Sequence, residues 1–153
     1  MVRNLMSYSP AFFNQNSNGS SKTTGSQFQN ASGSTLAIGT PVCVNASSQL
    51  ILIDVSDELS VKAIVGVAGI SIPNAASGQI VDNGRVQNIT TSFAVRSVLY
   101  VDKIGGLTDV PPTDGVDGFV AGDFVILVGV IVQNEFNIGQ KDLKLMISVI
   151  GQL

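Results

Sequence analysis

From Phe124 to Val132 the chain runs through nine consecutive residues that are apolar or glycine, Phe-Val-Ile-Leu-Val-Gly-Val-Ile-Val. The run is about half the length a helix needs to cross a bilayer, and its β-branched composition favours extended backbone. Successive side chains of a strand point to opposite faces, so Phe124, Val125, Ile126, Leu127 and Val128 put apolar groups on both. Such a strand needs cover on each side, from a second layer or from another copy of the chain. Left open, it would aggregate. The run therefore predicts an oligomer or core strand, central in its sheet.

The rest of the sequence after Ser34 has a matching texture of short β-branched runs divided by turn residues. Strands are predicted at Pro41–Val44, Gln49–Val55, Lys62–Ile72, Gln79–Asp82, Arg85–Ile89, Val95–Asp102, Asp123–Gln133 and Leu143–Ile150. Asn83-Gly84, between two of them, is a strong hairpin signal because both residues of that turn tolerate positive φ. In the last strand Leu143, Leu145, Ile147 and Val149 share a core face, while Lys144, Met146, Ser148 and Ile150 share a half-covered one. Ser56, followed by Asp57 and Glu58, is placed to cap one helical turn. Ile64-Val65-Gly66-Val67 and Leu127-Val128-Gly129-Val130 echo each other, each with a glycine inside an apolar strand. Such a glycine marks a bend, a bulge or a close backbone approach, unless the echo is a coincidence among common β-residues. The expectation is an all-β fold, a compact β-barrel or sandwich of seven or eight short strands over residues 35–153.

Residues 1–34 read differently. From Ser7 to Ser34 the composition is mostly Asn, Gln, Ser, Thr and Gly, Lys22 is the only charge, and the first acid of the chain is Asp54. The stretch cannot build its own core, yet it carries Tyr8, Phe12, Phe13 and Phe28. Two readings follow. The rings anchor an extended arm in pockets of a neighbouring subunit, gaining about 1.5–3 kcal/mol for each ring fully buried, or the arm folds back on its own body as an irregular edge segment. Its length and near-absence of charge lean toward the first.

The chemistry open to the chain is narrow. It has no histidine, the usual acid–base group near neutral pH and the commonest metal ligand. Its one cysteine, Cys43, allows no internal disulfide and sits between Val42 and Val44, where a buried thiol is the expectation. Asp114 and Asp117 flank a glycine-rich loop that lacks the alternating acids and closing glutamate of a calcium loop, and no metal or other cofactor is expected. Gly105-Gly106 has no following Lys-Ser/Thr to make it a phosphate loop and reads as a hairpin turn. Six basic residues, Lys62, Arg85, Arg96, Lys103, Lys141 and Lys144, are scattered singly, and the net charge is −3. Direct nucleic-acid binding is disfavoured. Neither a signal-peptide h-region nor a membrane-length apolar stretch is present, which points to a soluble, unsecreted product. Charged residues are 12% of the chain, about half the usual share. Much of the surface is expected to be covered by partners.

One ordered series of motifs goes further. It runs Gly39-Thr40-Pro41-Val42, Asp54-Val55-Ser56-Asp57, Ala63-Ile64-Val65-Gly66-Val67-Ala68, Ser77 to Val86, Val98-Leu99-Tyr100-Val101-Asp102, Gly105-Gly106-Leu107-Thr108 with Pro111-Pro112, and Val128-Gly129-Val130. In that order the body, Ser34 to Leu153, resembles a small β-barrel virion module of tailed bacteriophages, found in head decoration (cement) proteins and in related tail-fibre modules. The resemblance implies a non-enzymatic structural protein, a homotrimer on the capsid surface with the major capsid protein or other virion proteins as partners. It equally allows a tail or head-fibre component that joins an appendage to the particle or binds host surface glycans. A third reading, a carbohydrate-binding or hydrolytic module, would need Asp114 and Asp117 in a concave polar site formed by Lys103 to Gly118, with aromatic platforms that a chain with no Trp and two Tyr hardly supplies.

Overall fold

The computed structural model describes residues 26–153; Tyr8, Phe12 and Phe13 lie outside the described residues. The chain is nearly all β, with two antiparallel sheets, as the patterning of short apolar runs predicts. Its elements are β1 (Ser26–Gln29), β2 (Pro41–Val44), β3 (Leu50–Leu52), α1 (Glu58–Lys62), β4 (Ile64–Ala68), β5 (Ser77–Val81), β6 (Arg85–Ile89), β7 (Val98–Val101), β8 (Leu107–Thr108), β9 (Phe124–Gln133) and β10 (Lys141–Gln152). One sheet has the order β6-β10-β9-β7-β8, the other β1-β5-β4-β2-β3.

The apolar run is the middle strand of the first sheet, with one of its two faces in the core. Ile126, Val128 and Ile131 face inward and are buried with Leu143 and Leu145 of β10, Leu99 and Val101 of β7, and Cys43 and Val67 of the second sheet. Burial on that scale contributes about 1.5–3 kcal/mol for each aliphatic side chain. The second sheet is covered on its other face too. There Val42, Leu50, Ala68 and Ile80 pack against Leu36 and Ile72, which are held together by a reciprocal backbone pair.

The two echoed glycines mark the same device in both sheets. Each lies beside a register shift, Gly66 where β2 pairs with β4 and Gly129 where β9 pairs with β10 and β7. A Cβ on Gly66 would collide with the carbonyl oxygen of Val81, and one on Gly129 with that of Lys144. Close approach of the neighbouring strand therefore demands glycine at both places.

Five expectations are revised. The body takes in at least Ser26–Asn30, ahead of the composition boundary at residue 34, because Ser26–Gln29 pair with Ser77–Ile80 and the buried Asn30 pins the strap by donating to the carbonyls of Ser34 and Ile72. Asn83-Gly84 does not close a hairpin. Its strands β5 and β6 belong to different sheets, Gly84 alone takes positive φ (86°), and its carbonyl accepts the Leu145 N–H, so the chain leaving the turn is captured by β10. The long strand from Lys62 to Ile72 is interrupted, since α1 runs to Lys62 and β4 spans only Ile64–Ala68. Asp57, not Ser56, caps α1, its carboxylate accepting from Leu59 N, while Ser56 is engaged by Asp54. Two short strands, β1 and β8, raise the eight expected strands to ten among the described residues.

Candidate interaction surface

The long hairpin β9–β10 carries the feature most at odds with a self-contained fold. Its connection, Asn134 to Gln140, is shaped by polar groups. Asn134 Oδ1 accepts the N–H groups of Phe136 and Asn137, both at 2.9 Å, and Asn137 Oδ1 accepts that of Gly139. Gln133 Nε2 donates to the carbonyls of Ile138 and Gln140. Asn134 is itself anchored, its amide donating at 3.0 Å to the fully buried carboxylate of Asp142, which also takes Asn88 N and the Arg85 guanidinium. On this fixed turn Phe136 is 85% exposed and Ile138 90% exposed. None of the turn's geometry depends on their being apolar.

The outer face of the same sheet continues this character. Across the strands, Tyr100 of β7 lies opposite Leu127, which lies opposite Ser148, and one row along Val98, Val130, Lys144 and Arg85 stand in line. Val125 and Leu127, placed by sequence in the two-sided strand, are half-buried on this face, and Met146 and Ile150 of β10 are exposed. Val149, expected in the core, lies opposite Ile126 but is exposed where β10 runs past the core. Among the described residues no further layer covers this face.

A groove of about 360 Å³ lies elsewhere, between β4 and β5 of the second sheet and the distal half of β10. It is lined by Phe28, Ile64, Val65, Ile80 and Ile147 together with Gly66 and the exposed Ser26 and Asp82. Phe28 is thus the one expected anchor ring among the described residues. It is half-buried on β1, an edge strand of its own body, and packs on the second core.

Several ionisable groups have structural partners. Burial by itself would push the Asp123 carboxyl up, but the Lys103 ammonium at 2.7 Å and the Val120 N–H outweigh it and hold it below the ordinary carboxylate range. Hydrogen bonds from the Ser56 side chain and backbone lower Asp54 in the same way. Burial raises the Cys43 thiol, which lies 3.2 Å from Ser60 Oγ, so it is protonated and sealed in the core at neutral pH. Asp117 lines a second concavity of about 290 Å³ with Asp102 and Lys103; Asp114 does not. Asp102 is occupied there in closing the β7–β8 turn, accepting from Ile104 N and Gly106 N. Among the described residues no group of three acidic or sulfur side chains is placed to hold a metal ion.

Phe136 and Ile138 were not singled out by sequence reasoning. The signal that finds them is a pair of apolar residues two apart in a short polar turn, Asn-Glu-Phe-Asn-Ile-Gly, between two predicted strands. No family model, no curated protein and no solved structure matches the chain.

Proposed function

We propose that the chain is a non-enzymatic structural protein of a tailed-phage virion, a capsid decoration or cement protein that acts by burying its surface against copies of itself and against the major capsid protein. The observation that carries this reading is the rigid turn that holds Phe136 and Ile138 in water. A side chain fixed in water, with no part in its own fold, is explained by a partner. The apolar outer face of the first sheet and the ordered motif series support the same reading. Repeated over many symmetry copies, interfaces above about 1,000 Å² would stiffen a shell without any strong single bond. The expected assembly is a trimer. Residues 1–25, with Tyr8, Phe12 and Phe13, would tie each copy to the shell or to the next copy.

Quantitative mass spectrometry of purified particles from the source tests the proposal. About one copy or more for every three major capsid subunits supports a cement role. A ratio of a few per cent moves the chain to the tail or a fibre, and absence from particles overturns the virion reading. Deletion up to residue 25, which leaves β1 in place, is expected to abolish particle binding while the body keeps its melting temperature.

A further inference from the structure

We propose that the Phe136–Ile138 tip of one copy seats in the groove formed by Phe28, Ile64, Val65, Ile80 and Ile147 of a second copy. The inference deepens the structural reading above and takes from it only that the exposed apolar surface is there to be buried. Three observations carry it. The tip is pre-organised, since Asn134, Asn137 and Gln133 already satisfy its backbone, so docking orders little that is not ordered already. The groove, about 360 Å³, has room for an aromatic ring and a branched chain; five apolar side chains share its lining with polar surface, and its one charged residue, Asp82, is solvent-exposed. Tip and groove cannot meet within one copy: Ile147 lies six residues along β10 from Lys141, roughly 20 Å of strand beyond the base of the tip.

Charge favours a protein pocket over a lipid surface. Arg85 and Lys141, beside the base of the tip, are engaged, Arg85 with Asp142 and Glu135 and Lys141 with the Phe93 carbonyl, so neither is free for an anionic headgroup. A tip meeting a different patch on its neighbour is a heterologous contact, and rings with three-fold symmetry are built from contacts of that kind. The pairing thus supplies a specific joint for the trimer proposed above.

Sedimentation of the full chain at high micromolar concentration is the test. The wild type is expected to self-associate. Phe136→Ser with Ile138→Ser is expected to weaken association at least about tenfold without lowering the melting temperature, and Val65→Lys to weaken it as much at a cost in stability, since Val65 also packs on the second core. Should Val65→Lys fail to fold, Ser26→Trp fills the same groove from an exposed rim position. Mixed together, the tip variant and a groove variant retain one intact tip and one intact groove, and a 1:1 complex is expected where each alone is monomeric. A benzophenone side chain at position 26 should cross-link to residues 136–138 of an isotopically distinct copy. A monomeric wild type, undiminished association of the tip variant, failure of the mixture to pair, or cross-linking to residues 1–25 or to another protein instead would overturn the pairing. These outcomes are separable from the virion reading, which stands or falls on copy number in particles.

Discussion

The middle and the tip of the β9–β10 hairpin are a few residues apart and obey opposite rules. In the middle, Gly129, Ile131, Leu143 and Leu145 are packed so closely that one added carbon would strike the Lys144 carbonyl. At the tip, Phe136 and Ile138 touch water over most of their surface while Asn134, Asn137 and Gln133 do the folding. The contrast separates two uses of an apolar residue. Where the polar neighbours already satisfy the backbone, apolar identity has no part in stability and is open to binding.

The largest expected effect comes from breaking the middle. Gly129→Val drives a branched side chain into the backbone of β10 at a register shift, where the neighbour cannot yield. It should cost about 3 kcal/mol or more, seen as a collapse of the denaturation midpoint or as insoluble protein. Wild-type stability in this variant would show that β10 can slide away from β9 and that the middle is less constrained than its packing indicates.

Next comes the joint between the two regions. Asn134→Ala removes the acceptor for Phe136 N and Asn137 N and one donor to buried Asp142. A loss of about 1–3 kcal/mol is expected, with faster hydrogen exchange confined to residues 135–140. An unchanged exchange pattern there would mean that the turn holds its shape without Asn134.

The start of the hairpin gives a pH-dependent effect. Asp123 immediately precedes β9, and its carboxyl is held below the ordinary range by Lys103 and Val120 N. A carboxylate with a lowered folded-state value stabilises the fold above its unfolded value, about 3.9, and loses that contribution as pH falls through the folded value. Asp123→Asn should therefore lower the melting temperature at pH 7, by an amount equivalent to about 1–2 kcal/mol. The gap to wild type should narrow as both are taken below about pH 4. A gap independent of pH would assign the loss to packing instead of charge.

How much of this was legible follows the same division. The central strand could be read because its apolar run left no other stable arrangement, and the two interior glycines because few other reasons place glycine in a strand. Asn83-Gly84 misled because local turn chemistry speaks only of reversal. Capture of Gly84 by Leu145, sixty-one residues on, decides which sheet receives the next strand. β1 was hidden for a related reason. Ser-Gln-Phe-Gln has almost no burial pattern of its own, and it becomes a strand because β5 offers an open edge and Asn30 locks the following strap. The tip escaped notice because exposure of a side chain is a property of the assembled fold.

The smallest expected effect on stability is the most informative one for the comparison. Phe136→Ser replaces a ring that is 85% exposed, on a turn whose hydrogen bonds come from other residues. The change in unfolding free energy should stay within about 0.5 kcal/mol, measured by chemical denaturation with an unchanged m-value. Leu143→Ala, in the middle of the same hairpin and fully buried, should cost about 2–5 kcal/mol under the same conditions. A tip whose loss costs as much as the core would mean that Phe136 packs within its own chain in solution, and the case for a partner at that position would fail. A silent Phe136→Ser whose protein is more soluble than wild type would show instead that the ring is maintained at a cost in water, which a fold gains nothing from and an interface does.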